Sequence, residues 1–158
     1  MYIQNNERGS VMSEIKSVYD MFKTSEKNEK EGIVVDYGPE AGKFRIARMG
    51  GANSAFSRYH TARLKPYKYQ IERETISEEI LKDIMLDSFV KHVLLSWEGV
   101  RGENGKEIPF SEENAKALMQ ALPELYADLL NQARDFTNFR AAEIQDIAKN
   151  SESTSAGK

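Results

Sequence analysis

The sequence of 158 residues contains no cysteine and only two histidines, His60 and His92. A chain without cysteine forms no disulfide and offers no thiol nucleophile or thiolate metal ligand. The two histidines lie far apart in the sequence and no ligand pattern surrounds either of them, so we expect both to be structural or exposed. We therefore expect no enzyme: no catalytic residue, no cofactor and no metal site.

Long hydrophobic runs are also absent, and none approaches the roughly 20 residues of a membrane-spanning helix. The N-terminal residues MYIQNNERGS lack the basic start and apolar stretch of a signal peptide. These features predict a protein of the cytoplasm with no membrane partner. Hydrophobic residues make up 40% of the chain, enough for the core of one ordinary domain. We expect a flexible N-terminus over 1–10, a single domain over 11–149 and a disordered tail over 150–158.

Acidic residues are missing from Ala41 to Ile71, although the chain as a whole has a net charge of −3. Cations interleaved with aromatic rings fill this segment, which is a composition typical of nucleic-acid surfaces. The alternative is that the rings pack inward and the cations meet carboxylates of this chain or of an acidic protein partner. A sequence pI near 5.5 favours the alternative. The candidate partner-binding residues are Arg45, Arg48, Arg58, Arg63, Lys65, Lys68, Tyr59 and Tyr67.

Hydrophobic periodicity predicts an α+β fold that is mainly helical. Two runs rich in β-branched and aromatic residues, GIVVDYG (32–38) and KFRIARM (43–49), predict an N-terminal β-hairpin around the turn PEAG. The polar stretch 23–32 is expected to be a linker. Apolar residues three and four positions apart predict helices over 12–22, over about 54–64, from a Thr75–Glu78 capping box to Trp97, from Ser111, and from Pro123 to about Ile147.

The stretch SWEGVRGENGKEIPFSEENA (96–115) lies between two predicted central helices. It has features of three kinds of loop: a phosphate-binding loop, a calcium-binding loop and a structural turn. A P-loop is excluded, because the spacing from Gly99 to Gly105 is one residue too long and Glu107 replaces the required Ser or Thr. The carboxylates do not follow the order of a calcium-binding EF-hand. The pair Asn104-Gly105 favours a two-residue type I′ turn. We therefore expect a small hairpin turn whose base is anchored by Trp97 and Phe110.

Four segments in order resemble a known family: GIVVDYG (32–38), KFRIARMGGANSAF (43–56), LLSWEGVRGENGKEIPFSEENAKALMQALPELY (94–126) and NFRAAEI (138–144). Together they resemble the tail assembly chaperones of long-tailed, siphovirus-type bacteriophages, over roughly residues 31–145. The turn RMGGAN (48–53) and the loop that runs from Trp97 to Phe110 are the most specific parts. Neither part is a catalytic motif.

The resemblance implies a homo-oligomeric chaperone that binds and solubilises the tape measure protein during tail assembly in the host cytoplasm. Such chaperones are absent from the mature virion. Many are also made in a longer, frameshifted form that recruits the tail tube protein, and this chain would correspond to the short form. The alternative is a small nucleic-acid-binding phage protein that uses the basic-aromatic segment 43–68, although nucleic acid is the less expected partner.

Overall fold

The computed structural model describes residues 15–141, which fall into two compact units. The larger unit spans Glu26–Asp135, and the smaller one combines residues 15–25 with 136–141. A single domain over 11–149 stays a prediction. The expected flexible N-terminus, 1–10, and disordered tail, 150–158, lie outside the described residues.

The fold is α+β and mainly helical, as the sequence predicts. The larger unit contains one three-stranded sheet and six α-helices among its described residues. Its elements are α2 (Glu26–Glu31), β1 (Ile33–Asp36), β2 (Lys43–Ile46), α3 (Ser54–Leu64), a 3-10 helix (Lys65–Tyr67), α4 (Lys68–Glu72), α5 (Glu78–His92), β3 (Leu94–Glu98), α6 (Glu112–Ala121) and α7 (Pro123–Arg134).

The smaller unit contains α1 (Val18–Phe22) and a 3-10 helix (Phe136–Phe139). The Ser17 hydroxyl caps α1 by accepting a hydrogen bond from the Asp20 amide at 3.3 Å. The rings of Phe22 and Phe136 stack with their centroids 5.4 Å apart. The helix predicted over 12–22 is therefore present as the shorter α1, and residues 12–14 lie outside the described part of the chain.

The predicted hairpin is confirmed, and it gains a third strand. β1 and β2 pair antiparallel, with Ile33 opposite Ile46 and Asp36 opposite Lys43. β3 adds to the other side of β2, so that the strand order is β1-β2-β3. Lys43 lies opposite Glu98 in that second pair. The third strand provides the extra pairing that an isolated hairpin needs for stability in water.

The prediction that the central helix reaches Trp97 is wrong, because α5 ends at His92 and Leu94–Glu98 forms β3. A short apolar run is compatible with either a helix or a strand when only its periodicity is known. Tertiary pairing decides here: β2 accepts β3 along its open edge, and the rings of Phe44 and Trp97 meet edge to face at 5.8 Å.

Three further parts of the chain differ from the prediction. Ser77, rather than Thr75, caps α5, since the Ser77 hydroxyl accepts the Ile80 amide at 3.2 Å. The last helix ends at Arg134, and the part predicted beyond residue 141 lies outside the described residues. The expected linker over 23–32 contains α2, which is held in place by a buried carboxylate described below.

The core of the larger unit lies around α5, which contacts α3, β3 and α6. Each fully buried large side chain contributes about 1.5–3 kcal/mol to folding. The largest of them are Phe44, Ile46, Phe89, Val93, Leu94, Met119 and Leu129. None of the helices within residues 15–141 is long and apolar enough to span a bilayer.

The small hairpin between β3 and α6 is confirmed, but its turn type is not. Arg101 and Glu107 form an antiparallel bridge, and the Trp97 indole donates a 2.7 Å hydrogen bond to the Ile108 carbonyl. Only Gly105 of the predicted pair has a positive φ, 76°, whereas a type I′ turn needs two such residues. The loop is a three-residue turn closed by hydrogen bonds between Gly102 and Lys106 and between Gly105 and Gly102. The Trp97 and Phe110 rings pack edge to face at 5.0 Å, as expected.

Candidate partner-binding groove

The acid-free segment contains β2, a turn and a run of helices, which lie in different environments. The turn, Arg48–Asn53, packs against α2. Glu29 of that helix is buried with a relative exposure of 2%, and one of its carboxylate oxygens lies 3.4 Å from the Arg48 guanidinium. The same oxygen accepts the Ala52 amide at 2.6 Å. Arg48 is therefore already neutralised within the larger unit.

Asn53 and Gly51 complete this turn. The Asn53 side-chain amide donates to the Arg48 carbonyl at 2.8 Å and to the His92 carbonyl at 2.9 Å, joining the turn to the end of α5. Gly51 has a φ of 55°, and a Cβ placed there would lie 2.0 Å from the Glu29 carboxylate. Only glycine fits this position, because both the backbone angle and the close carboxylate exclude a side chain.

Arg45 lies on the solvent-facing side of β2, apart from the other candidates in the fold. Its side chain is exposed in the β2 pattern, and its guanidinium donates a 3.3 Å hydrogen bond to the Gly32 carbonyl. Opposite it on the neighbouring strands lie Val34 and Ser96. The structure therefore does not bring Arg45 together with the cations of the helical region.

The remaining candidates lie on a helical arm, which we define as α3, the 3-10 helix and α4 (Ser54–Glu72). Pro66 lies near the start of the 3-10 helix that separates α3 from α4, and a proline interrupts the hydrogen bonding of a continuing α-helix. The arm lines an open groove of about 740 Å³. The groove is lined by Ser57, Arg58, Thr61, Ala62, Leu64, Lys65, Lys68, Ile71 and Glu72.

The lining of this groove combines apolar side chains, which we call its floor, with cationic side chains, which we call its rim. Ala62, Leu64 and Ile71 supply apolar surface, and Ile71 is 39% exposed. Within residues 15–141, no carboxylate lies within 4.0 Å of the Arg58 or Lys65 cation. Lys68 meets Glu72 at 3.9 Å, but both side chains are mostly exposed, so this pair contributes little to stability.

A buried carboxylate fixes the arm to the rest of the larger unit. Asp87 of α5 accepts a hydrogen bond from the Tyr59 hydroxyl, lies 3.3 Å from the Arg63 guanidinium and 2.8 Å from the Lys116 ammonium. Arg63, which is half exposed, and Tyr59 therefore anchor the arm to α5. Asp87 is buried, with a relative exposure of only 8%, although it is a charged residue on a helix.

The electrostatics of this anchor keep Asp87 charged. Burial by itself raises the pKa of Asp87, but hydrogen bonds from Lys116 and Tyr59 and the nearby charges of Lys116 and Arg63 outweigh it, so the net pKa is lowered. Burial, followed by the hydrogen bond to Asp87, raises the pKa of Tyr59 to about 12. Tyr59 therefore stays protonated as a donor at neutral pH.

Both histidines lie where the arm packs against α5. The Ser88 hydroxyl donates to the Ile84 carbonyl at 2.7 Å, so it must accept from Nδ1 of His60, 3.1 Å away. Burial lowers the pKa of His60 and favours this neutral form. The His92 ring packs against Tyr59 at 4.9 Å. Across residues 15–141, no group of three His, Asp or Glu side chains is arranged to hold a metal ion.

Tyr67 is half-buried in the 3-10 helix and does not line the groove. Of the eight predicted residues, the structure therefore places Arg58, Lys65 and Lys68 together around one groove. Sequence reasoning missed Glu29, Asp87 and Lys116, because a carboxylate on a helix looks solvated until its tertiary partner is known. A signal for Asp87 was available, since it is flanked by buried apolar residues on both sides of the same helix turn.

The family model of the YdaY prophage protein matches residues 51–150. The chain belongs to this prophage protein family. The match begins at the turn that leads into the arm and includes the arm, its anchor on α5, and the helices α6 and α7. No curated protein and no solved structure matches the chain. The family establishes a phage-derived protein, and the phage origin implied by the resemblance is thereby confirmed.

Proposed function

We propose that this protein is a phage tail assembly chaperone that binds the tape measure protein and keeps it soluble in the host cytoplasm. Prophage family membership and the resemblance of the segments around RMGGAN and Trp97–Phe110 support a role in phage development. In this proposal the chaperone leaves before the virion is complete. A longer, frameshifted form would bring the tail tube protein to the same client.

The single observation that carries the proposal is the open groove of the arm. A chaperone for a long helical client needs apolar surface that is exposed before the client arrives. The groove offers such surface on a helical support, and Ile71 in its lining is 39% exposed. An α-helix with its side chains is about 10–12 Å across, so an open groove can receive one face of a helix without first unfolding it.

Several weak sites on one client would act together. A homo-oligomer, or many copies along one tape measure protein, gains avidity without a strong single contact. The sheet leaves β1 and β3 as its edge strands, and these provide one surface for self-association. These two edges support the proposed oligomer.

Co-expression provides the test. The tagged chain is produced with the tape measure protein encoded by the same prophage, and soluble client that co-purifies is quantified for wild type, Ile71→Asp and Lys106→Glu. We expect wild type and Lys106→Glu, which is altered on the small hairpin, to retain the client, and Ile71→Asp to lose most of it. Insoluble client in all three preparations would contradict the proposal. A genome with no long tape-measure-like gene downstream would contradict it independently.

Nucleic-acid binding is less well supported, because two cations of the basic segment are already paired with buried carboxylates. Arg48 pairs with Glu29, and Arg63 pairs with Asp87. Binding to single- and double-stranded DNA across salt concentrations would separate the two functions. A steep salt dependence that weakens with Arg45, Arg58 and Arg63 replaced would favour nucleic acid.

A further inference from the structure

We propose that the groove of the arm recognises an amphipathic helix that carries acidic residues beside its apolar stripe. This inference rests on the proposed function, because it names the chemistry of the client segment that the groove would hold.

The floor selects an apolar surface and disfavours a nucleic acid. Ala62, Leu64 and Ile71 can cover an apolar stripe, and burying such surface is favourable by about 25 cal/mol per Å². Proteins that hold single-stranded nucleic acids stack bases on aromatic rings. Among the described residues, no aromatic side chain lines the groove. A polyanion could therefore meet the rim, but its bases would find no stacking partner on the floor.

The rim selects acidic residues. Arg58, Lys65 and Lys68 carry three positive charges, against the single negative charge of Glu72. Elsewhere in the larger unit, Arg48 and Arg63 lie beside buried carboxylates. The positive charge around the groove is thus left for a partner from outside, and complementary charges raise both the rate and the specificity of association.

The surrounding backbone selects a helix rather than an extended peptide. A peptide that binds as a strand needs an exposed sheet edge to complete its backbone hydrogen bonds. Among the described residues, the groove is lined by helical elements and by no strand edge, so it offers no row of open backbone groups to pair with an extended peptide. A segment that enters it must therefore satisfy its own backbone, which an α-helix does.

Labelled model peptides test this directly with the full chain. Two peptides of about 20 residues, long enough to form helices, share one leucine stripe and differ only in flanking glutamates or lysines. A third peptide has the acidic composition in scrambled order. Fluorescence anisotropy should show the acidic amphipathic peptide binding at least about tenfold more tightly than the other two. Equal binding of the acidic and basic peptides would overturn the inference.

Charge reversal sharpens the test. Arg58→Glu combined with Lys65→Glu should reverse the preference, so that the lysine peptide binds more tightly than the glutamate peptide. Lys27→Glu combined with Lys106→Glu has the same net charge but alters two exposed sites outside the groove, and it should behave as wild type. An equal loss in both double variants would mean that only overall charge matters, and the inference would fail.

Two other occupants are outcomes of the same experiment. A single-stranded DNA oligonucleotide that displaces the acidic peptide and binds more tightly would assign the groove to nucleic acid. Sedimentation of wild type and of Ile71→Asp tests whether a second copy of this chain occupies the groove. If the substitution converted an oligomer to a monomer and wild type bound no peptide, the groove would be a subunit interface and the inference would be overturned.

The inference and the proposed function can fail separately. Capture of the tape measure protein that is unaffected by Arg58→Glu and Lys65→Glu would preserve the chaperone function and reject the groove specificity. Selective binding of the acidic peptide by a protein that captures no tape measure protein would preserve the specificity and reject that client.

Discussion

Arg48 and Arg58 come from the same acid-free segment, but the fold uses them in different ways. Arg48 lies in a turn beside the buried carboxylate of Glu29, 3.4 Å away. Arg58 lines an open groove, and among residues 15–141 no carboxylate is within 4.0 Å of its cation. Removing one partner of a buried ion pair leaves the other charge uncompensated, whereas an exposed cation without a partner carries no such cost, so Arg48 should matter for folding and Arg58 for binding.

Glu29→Ala should have the largest effect on stability, because it removes the acceptor of the Ala52 amide and leaves Arg48 without its anion. Breaking a buried pair costs about 3–5 kcal/mol, and partial exposure of Arg48 places the expected loss near about 3 kcal/mol. Urea denaturation measures it. Glu31→Ala, on the exposed side of the same helix, is the control and should cost less than about 0.5 kcal/mol. Equal losses would show that the turn does not depend on this ion pair.

Gly51→Ala should destabilise the same turn by about 2–3 kcal/mol, from an unfavourable positive φ together with the clash against the Glu29 carboxylate. Gly105→Ala is the matched control: its φ is also positive, at 76°, but no atom lies within 4 Å of the added Cβ. The control should lose only the conformational part, about 1–2 kcal/mol. Thermal unfolding of the two variants gives the comparison, and a larger loss for Gly105→Ala would disprove the packing argument.

Asp87→Asn should lower the free energy of unfolding by about 2 kcal/mol at neutral pH, since it removes the charge that binds Arg63 and Lys116 and holds the arm on α5. The pKa of Asp87 is lowered in the fold, so its stabilising contribution is complete above the pKa of an unfolded carboxyl, about 3.9. The contribution is lost as pH falls through the lower native value.

The difference between wild type and Asp87→Asn should therefore be full at pH 7 and shrink below about pH 4. Denaturation at several pH values measures this difference in stability. Asp83→Asn, on the exposed face of the same helix, should change stability little at any pH. A difference that grew towards low pH would contradict the assigned direction of the pKa shift.

Arg58→Gln combined with Lys65→Gln should have the smallest effect on folding, within about 0.5 kcal/mol, because both side chains are exposed and neither has an ion-pair partner among the described residues. The same variant should weaken binding of the acidic peptide. A loss of stability comparable to that of Glu29→Ala would remove the distinction between the turn and the arm.

Local signals were sufficient where a residue acts on its chain neighbours. Ser111 caps α6 by accepting the Asn114 amide at 3.0 Å, and Pro123 opens α7, both as the sequence predicts. The β1–β2 hairpin also follows from local composition, with its turn over PEAG. The type I′ prediction failed because the Asn104 side chain accepts the Lys106 amide at 3.0 Å in a turn that requires a positive φ only at Gly105.

The candidate groove was only partly predictable. Composition alone identified the cations of the segment. Which cations stay available depended on carboxylates distant in sequence: Asp87 binds Arg63, and Glu29 binds Arg48. Charge counting along the chain contains no information about such pairs, because they form only when α5 and α2 pack against the segment.

The sequence by itself determined the fold class, the Ser111 cap of α6, the Pro123 start of α7 and the concentration of positive charge between residues 41 and 71, since these depend on residue type and short-range spacing. The tertiary structure alone decided that LLSWE becomes β3, because an apolar run of that length follows whichever partner is available, here the open edge of β2. It also decided which cations hold the fold together and which surround the groove, because burial next to a carboxylate is a property of the packed chain.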